Sequence, residues 1–135
     1  MSVFAVFDTN VLVSAMLSHN LCSSTVKVVK SVYDGRVVPL YNEEILSEYD
    51  EVLRRTKFGF LESEIANVIE AVIKTGVFVY RTPSNEFFPD STDVVFYESA
   101  LSMKGAFVVT GNLKHFPKSP IVVTPNELLM MLTEK

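Results

Sequence analysis

The opening stretch MSVFAVFDTNVLVSAML (residues 1–17) decides the fold, because a lone Asp8 closes one apolar run and stands directly before a second. Residues 3–7 (VFAVF) have the length and Val/Phe content of a strand with no polar alternation, so both of its faces need cover. Residues 36–40 (RVVPL), 77–80 (VFVY), 106–109 (AFVV) and 121–123 (IVV) repeat that character.

Segments of helical period lie between these runs. SSTVKVVKSVYDG predicts a helix closed by Gly35, with Val26, Val29 and Tyr33 facing inward. NEEILSEYDEVLRR buries Ile45, Tyr49, Val52 and Leu53, and SEIANVIEAVIKTG buries Ile65, Val68, Ile69, Val72 and Ile73 before ending at Gly76. PDSTDVVFYESAL predicts a helix facing inward through Val94, Tyr97, Ala100 and Leu101. TPNE announces the last helix: Thr124 caps, Pro125 takes the first position and Glu127 completes a capping box. Buried strands alternating with helices imply one α/β domain over residues 1–135, a central parallel sheet of about four to five strands flanked by helices on both faces.

Composition limits the function. A chain of 135 residues with 48% hydrophobic and 21% charged content is one ordinary globular domain, and its net charge of -4 gives no overall basic field. Any contact with nucleic acid must therefore be local. The single Cys22 excludes an intrachain disulfide and reads as a small buried residue rather than a nucleophile. No run of about eighteen apolar residues is present to span a membrane, and the start lacks a basic signal-peptide region. A cytoplasmic protein is expected. Among the aromatics, Phe4, Phe7, Phe78 and Phe107 read as core, whereas Phe58, Phe60, Phe87 and Phe88 fall in loops, packing over the core edge or stacking on bases.

In an open parallel sheet ligands collect beyond the carboxyl ends of the strands, where Asp8 stands. By residue type alone Asp8 is a helix cap. Other carboxylates decide between the two roles. Glu44 and Glu48, four apart on one helix, share a face; Glu44 reads as solvated, with Glu51 and Arg55 continuing its face, and Glu48 stays open. Asp90 and Asp93 open the DSTDVVFYESAL helix, where both suit the helix dipole and Asp90 suits a cap. Thr110, Asn112 and His115 follow the AFVV strand, and two His in the whole chain make no zinc-ligand spacing. Should Asp8, Glu48 and Asp93 meet, their repulsion would call for a hard divalent cation held by oxygen ligands, Mg²⁺ or Mn²⁺.

FDTNVL, the acid within NEEILSEYDEVLRR, DSTDVVFYESAL and FVVTGNLKHF, in this order and spacing, resemble the PIN domain family (PilT N-terminus), specifically its VapC-like toxin components of toxin–antitoxin systems. The resemblance runs from Val3 to TPNELL. It implies metal-binding acids at Asp8, Glu48 (with Glu44 as the fallback) and Asp93, supported by Asn10, Asp90 and Thr110. The fourth position, often Asp in relatives, is Asn112, which keeps a carbonyl oxygen without a charge and so implies one firmly held ion. The implied activity is Mg²⁺- or Mn²⁺-dependent hydrolysis of RNA phosphodiester bonds, with a cognate antitoxin and a homodimer as partners. Arg54, Arg55 and Lys57 after the Glu48 helix, and Lys104, Lys114 and Lys118 around the Asn112 loop, are the candidate RNA contacts. A haloacid-dehalogenase-like phosphotransferase would need Asp at position 10, and a response-regulator receiver an acidic pair where Asp8 stands alone. A catalytically silent PIN-fold module that binds RNA or a protein is the alternative, and the missing fourth acid is its support.

Overall fold

The computed structural model describes residues 2–133. Its sheet is wholly parallel and contains β1 (Val3–Phe7), β2 (Val37–Tyr41), β3 (Val77–Phe78), β4 (Phe107–Val109) and β5 (Val122–Val123) in the order β3-β2-β1-β4-β5. The helices are α1 (Thr9–Leu17), α2 (Ser24–Tyr33), α3 (Glu43–Leu53), α4 (Glu62–Thr75), α5 (Val94–Leu101) and α6 (Pro125–Thr133). Consecutive Ala5, Val6 and Phe7 are all buried, as a strand covered on both faces requires. Helix α5 packs on β1, β2 and β4, while α2 packs on β2 and against α1, α4 and α6.

The chain moves outward from β1 through β2 to β3, then returns across the sheet to place β4 on the other side of β1. The strand order thus reverses between β1 and β4, and the crevice beyond their carboxyl ends is where such sheets bind ligands. Asp8 follows β1 and Thr110 follows β4, so both stand at that reversal.

Local chemistry explains several joints. Pro39 has no ladder N–H to donate, and it stands one residue before the β2–β3 pairing begins at Leu40. Gly76 allows α4 to run into β3 there, since a Cβ on it would lie 2.4 Å from the carbonyl oxygens of Pro39 and Val72. Thr124 and Glu127 form the expected capping box of α6: the Glu127 N–H donates to Thr124 Oγ1 at 3.1 Å and the Thr124 N–H to Glu127 Oε1 at 2.8 Å.

Some inward faces differ from those the sequence suggests. Helix α2 buries Val28, Ser31 and Val32, whereas Tyr33 is 58% exposed. The polar Ser31 tolerates burial because its hydroxyl donates to the Lys27 carbonyl at 3.0 Å. Helix α5 is buried almost all round, from Val95 to Ala100, and Leu101 at its end is exposed. Phe78 is 46% exposed because β3 is an edge strand, and Ile73 on α4 is likewise exposed. Cys22 is exposed too, in the α1–α2 connection rather than in the core. No helix among the described residues is long and apolar enough to cross a membrane.

Candidate active site

Asp8 caps α1, as its residue type suggests, and it also lines the crevice. Its Oδ1 accepts from the Asn10 N–H at 3.4 Å and caps α1, while its Oδ2 accepts from the Thr110 hydroxyl at 2.8 Å. The Asp8 N–H donates to the Val109 carbonyl at 2.9 Å, which fixes the residue across the β1–β4 boundary.

Glu48 is brought to the same place by α3. Asn42 caps that helix through the Ile45 N–H at 3.0 Å, and its buried side-chain amide donates to Ser99 Oγ of α5 at 2.9 Å. The next residue along from Glu48, Tyr49, donates its hydroxyl to the Phe7 carbonyl at 2.6 Å and stacks on Phe96 at 6.2 Å between ring centroids. A buried polar anchor beside Glu48 therefore docks the middle of α3 on the end of β1. Glu44, one turn earlier, does not reach the crevice: it takes Arg81 Nη1 at 2.7 Å.

Asp90 and Asp93 arrive from the other side, on a 3₁₀ turn (Ser91–Asp93) that leads into α5. Asp90 is a cap, accepting from the Thr92 N–H at 2.9 Å and the Thr92 hydroxyl at 2.8 Å. Asp93 is buried and its Oδ2 has no hydrogen-bond partner; His115 Nδ1 stands 3.5 Å away, without hydrogen-bonding geometry. The chain before this turn is held by buried Glu98, which accepts from Arg81 Nε at 3.0 Å, Arg81 Nη2 at 2.8 Å and the Ser84 N–H at 2.8 Å.

Asp8, Thr9, Asn10, Glu48, Arg55, Asp90, Asp93 and His115 line one cleft of about 180 Å³. Burial pushes the proton affinity of Asp8 upward against the Thr110 hydrogen bond. Burial also raises Glu48, with Glu51 adding to it and Arg55 opposing. Asp93 is pushed up to about 6 by burial and then by the charges of Asp8 and Asp90, with His115 pulling the other way. In all three acids burial is the first cause, and the nearby cationic groups, Arg55 and His115, do not offset it.

Among the described residues, no three His, Cys, Asp or Glu side chains already close into a metal-holding group. The donor set nevertheless suits Mg²⁺ or Mn²⁺. Mg²⁺ takes one or two carboxylates and keeps several waters rather than demanding an all-protein cage. The buried side-chain oxygens left without partners among the described residues, Thr9 Oγ1 and Asp93 Oδ2, both belong to residues lining this cleft.

Asn112 stands behind the wall rather than on it. Its N–H donates to Thr110 Oγ1 at 3.0 Å, and its side-chain nitrogen lies 3.1 Å from His115 Nε2. His115, which the sequence reading set aside because two His make no zinc-ligand spacing, lines the cleft. Its signal was the spacing Asn112–His115, one 3₁₀ turn, which returns the imidazole to the side of Asn112.

Of the candidate RNA contacts, Arg55 alone lines the cleft, 3.6 Å from Glu51. Arg54 is committed elsewhere, to Asp50 at 2.8 Å and to Glu62. Lys57 lies over the Phe58 ring, 5.2 Å from its centroid. Lys104 precedes β4, so it sits toward the amino end of that strand and not beside the Asn112 loop. Lys114 and Lys118 line a separate hollow.

No curated protein matches the chain. Among solved structures, the crystal structure of PAE2754 from Pyrobaculum aerophilum superposes with a TM-score of 0.62, covering 99% of this chain and 91% of that one at 14% identity. That likeness concerns the fold. The PIN domain family model matches residues 5–114, from the first buried strand past the Asn112 loop, and the chain therefore belongs to the PIN domain family.

Proposed function

We propose that the protein is a Mg²⁺- or Mn²⁺-dependent endoribonuclease and the toxin of a type II toxin–antitoxin pair. The observation that carries this reading is the meeting of Asp8, Glu48 and Asp93, drawn from three elements distant in sequence, in one small cleft at the reversal of strand order. Uncompensated carboxylates brought together by the fold cost stability, and a divalent cation is the partner that offsets that cost. Family membership supports nuclease chemistry on this fold.

When bound, such an ion supplies Lewis-acid polarisation of a phosphate and lowers the pKa of a bound water. The chain's own residues hold and orient. Thr110 and the Asn10 N–H fix both oxygens of Asp8. Tyr49 fixes the height of Glu48 above β1. Arg55 presents a guanidinium to the cleft, where a substrate phosphate would compete with Glu51 for it. His115, held by Asn112, stands against Asp93.

Other parts of the reading are RNA as substrate, a cognate antitoxin, a homodimer and a cytoplasmic location. Exposed Phe78, Tyr80 and Phe87 supply apolar surface that protein partners would cover. A silent binding module is the second reading, favoured by Asn112 in place of an acid and by the open donor set.

Calorimetric titration of Mn²⁺ into the wild type and Asp8→Asn, followed by incubation of both with a labelled RNA pool, separates the two. A nuclease binds Mn²⁺ and cuts RNA, and Asp8→Asn loses both. Absence of binding and cleavage in the wild type leaves the silent module.

A further inference from the structure

The carboxylate cleft, at about 180 Å³, lies below the roughly 300–1,000 Å³ typical of small-molecule sites. It has room for an ion, waters and a phosphate, but not for a nucleotide. A strand presenting its phosphate there must lodge its bases elsewhere.

Immediately beside it, the 3₁₀ turn Leu113–His115 has two sides. His115 lines the carboxylate cleft, whereas Leu113 and Lys114 line a hollow of about 550 Å³ completed by Phe116, Pro117, Lys118, Ser119 and Val122. Residues one apart on a 3₁₀ turn point about 120° apart, so a single turn forms the wall between the two. The hollow combines an apolar lining from Leu113, Pro117 and Val122 with two exposed lysines, for which the described residues provide no ion-pair partner. Leu113 is among the large apolar side chains left exposed.

We infer that this hollow is a nucleotide subsite, which receives the base of a single-stranded nucleic acid on its apolar lining and an adjoining phosphate on Lys114 and Lys118. The inference rests on the nuclease reading, which places the reacting phosphate on the far side of the same turn. Single strands are held without base pairing by a positive groove beside a surface that takes the bases, a surface that is aliphatic and prolyl here. The charge complementarity is local, in a chain whose net charge of -4 would otherwise repel the ligand. Other large hollows fit less well: the one lined by Lys27, Lys30 and Arg36 is basic, but Arg36 precedes β2, at the opposite end of the sheet from Asp8.

The test uses fluorescein-labelled octamers of uridine, adenosine and thymidine, the first two with free 2′-hydroxyls, which metal-dependent cleavage leaves intact in EDTA. Binding is read by anisotropy in EDTA for the wild type, Leu113→Glu and Lys118→Ala. Both residues are exposed, so neither substitution strains the core. We expect about tenfold weaker binding in Leu113→Glu and severalfold weaker in Lys118→Ala, with Mn²⁺ affinity unchanged in each. The ribose and deoxyribose octamers distinguish RNA from DNA as the strand received. Equal binding by wild type and variants, or no octamer bound by the wild type, overturns the subsite whatever the Mn²⁺ titration shows. Octamer binding lost in the variants, in a wild type that binds no Mn²⁺ and cuts no RNA, upholds the subsite and overturns the nuclease reading.

Discussion

Asp93 shows how a single residue couples the site to stability. Its carboxyl is buried, one oxygen has no hydrogen-bond partner, and its pKa is pushed from an unfolded 3.8 up to about 6. A group that binds its proton more tightly when folded contributes stability that is fully present below about pH 4 and is lost as pH rises through about 6. In EDTA, Asp93 should therefore make the protein less stable at pH 7.5 than at pH 4.5, by on the order of 1–3 kcal/mol. Urea unfolding of wild type and Asp93→Asn at both pH values isolates this part, because other carboxylates titrate in both proteins. We expect the variant to be the more stable of the pair at pH 7.5 and to have lost that advantage at pH 4.5. Saturating Mg²⁺ should reverse the order at pH 7.5, since the ion stabilises the wild type and not the variant. A pH-independent difference between the two would mean that Asp93 ionises normally. At this scale Asp8 was the most legible residue, because the end of a buried strand is a position that sequence marks; His115 was not, because only the fold turns a loop imidazole toward Asp93.

At the scale of the element, the sheet depends on how α3 is docked. Tyr49 joins α3 to β1 through a buried hydroxyl donated to the Phe7 carbonyl, directly beside the Glu48 that the helix delivers to the cleft. Tyr49→Phe keeps the ring stacked on Phe96 and removes only that bond. We expect a loss of about 1–2 kcal/mol in urea unfolding and severalfold weaker Mn²⁺ binding, as Glu48 gains freedom. A stability loss with unchanged Mn²⁺ affinity would show that α3 keeps its place without the bond. Helical faces were legible where the apolar stripe was narrow, as in α3, whose Ile45, Tyr49, Val52 and Leu53 are all buried. The reading failed in α2, where valines at 26, 28, 29 and 32 fit more than one phase and a self-satisfied Ser31 sits in the core. It failed again in α5, where the buried Glu98 is neutralised by Arg81 from a segment with no period of its own.

Across the whole molecule, ion pairs engage four of the described lysines and arginines, and where the others stand decides what a polyanion meets. Parallel strands and helical cover were readable from the composition of each segment, but strand order was not, because nothing local tells β4 which side of β1 to join. That one choice creates the crevice and also decides which cations stand near it. Arg54 is held by Asp50 and Glu62, Arg55 by Glu51, Lys74 by Glu70, and Arg81 by Glu44 and Glu98. Lys114 and Lys118, by contrast, flank the hollow next to the carboxylates with no such partner among the described residues. Each phosphate neutralised on a single strand contributes about −0.7 to the slope of log affinity against log salt. With two lysines engaged, RNA binding in EDTA should fall with a slope of about −1.4, so affinity drops only about sevenfold between 50 and 200 mM salt. Octamer binding followed across that range checks the value. A slope steeper than about −3 would require more than four neutralised phosphates, and hence a second basic surface such as that of Lys27, Lys30 and Arg36, with the strand wrapping the sheet from one end to the other.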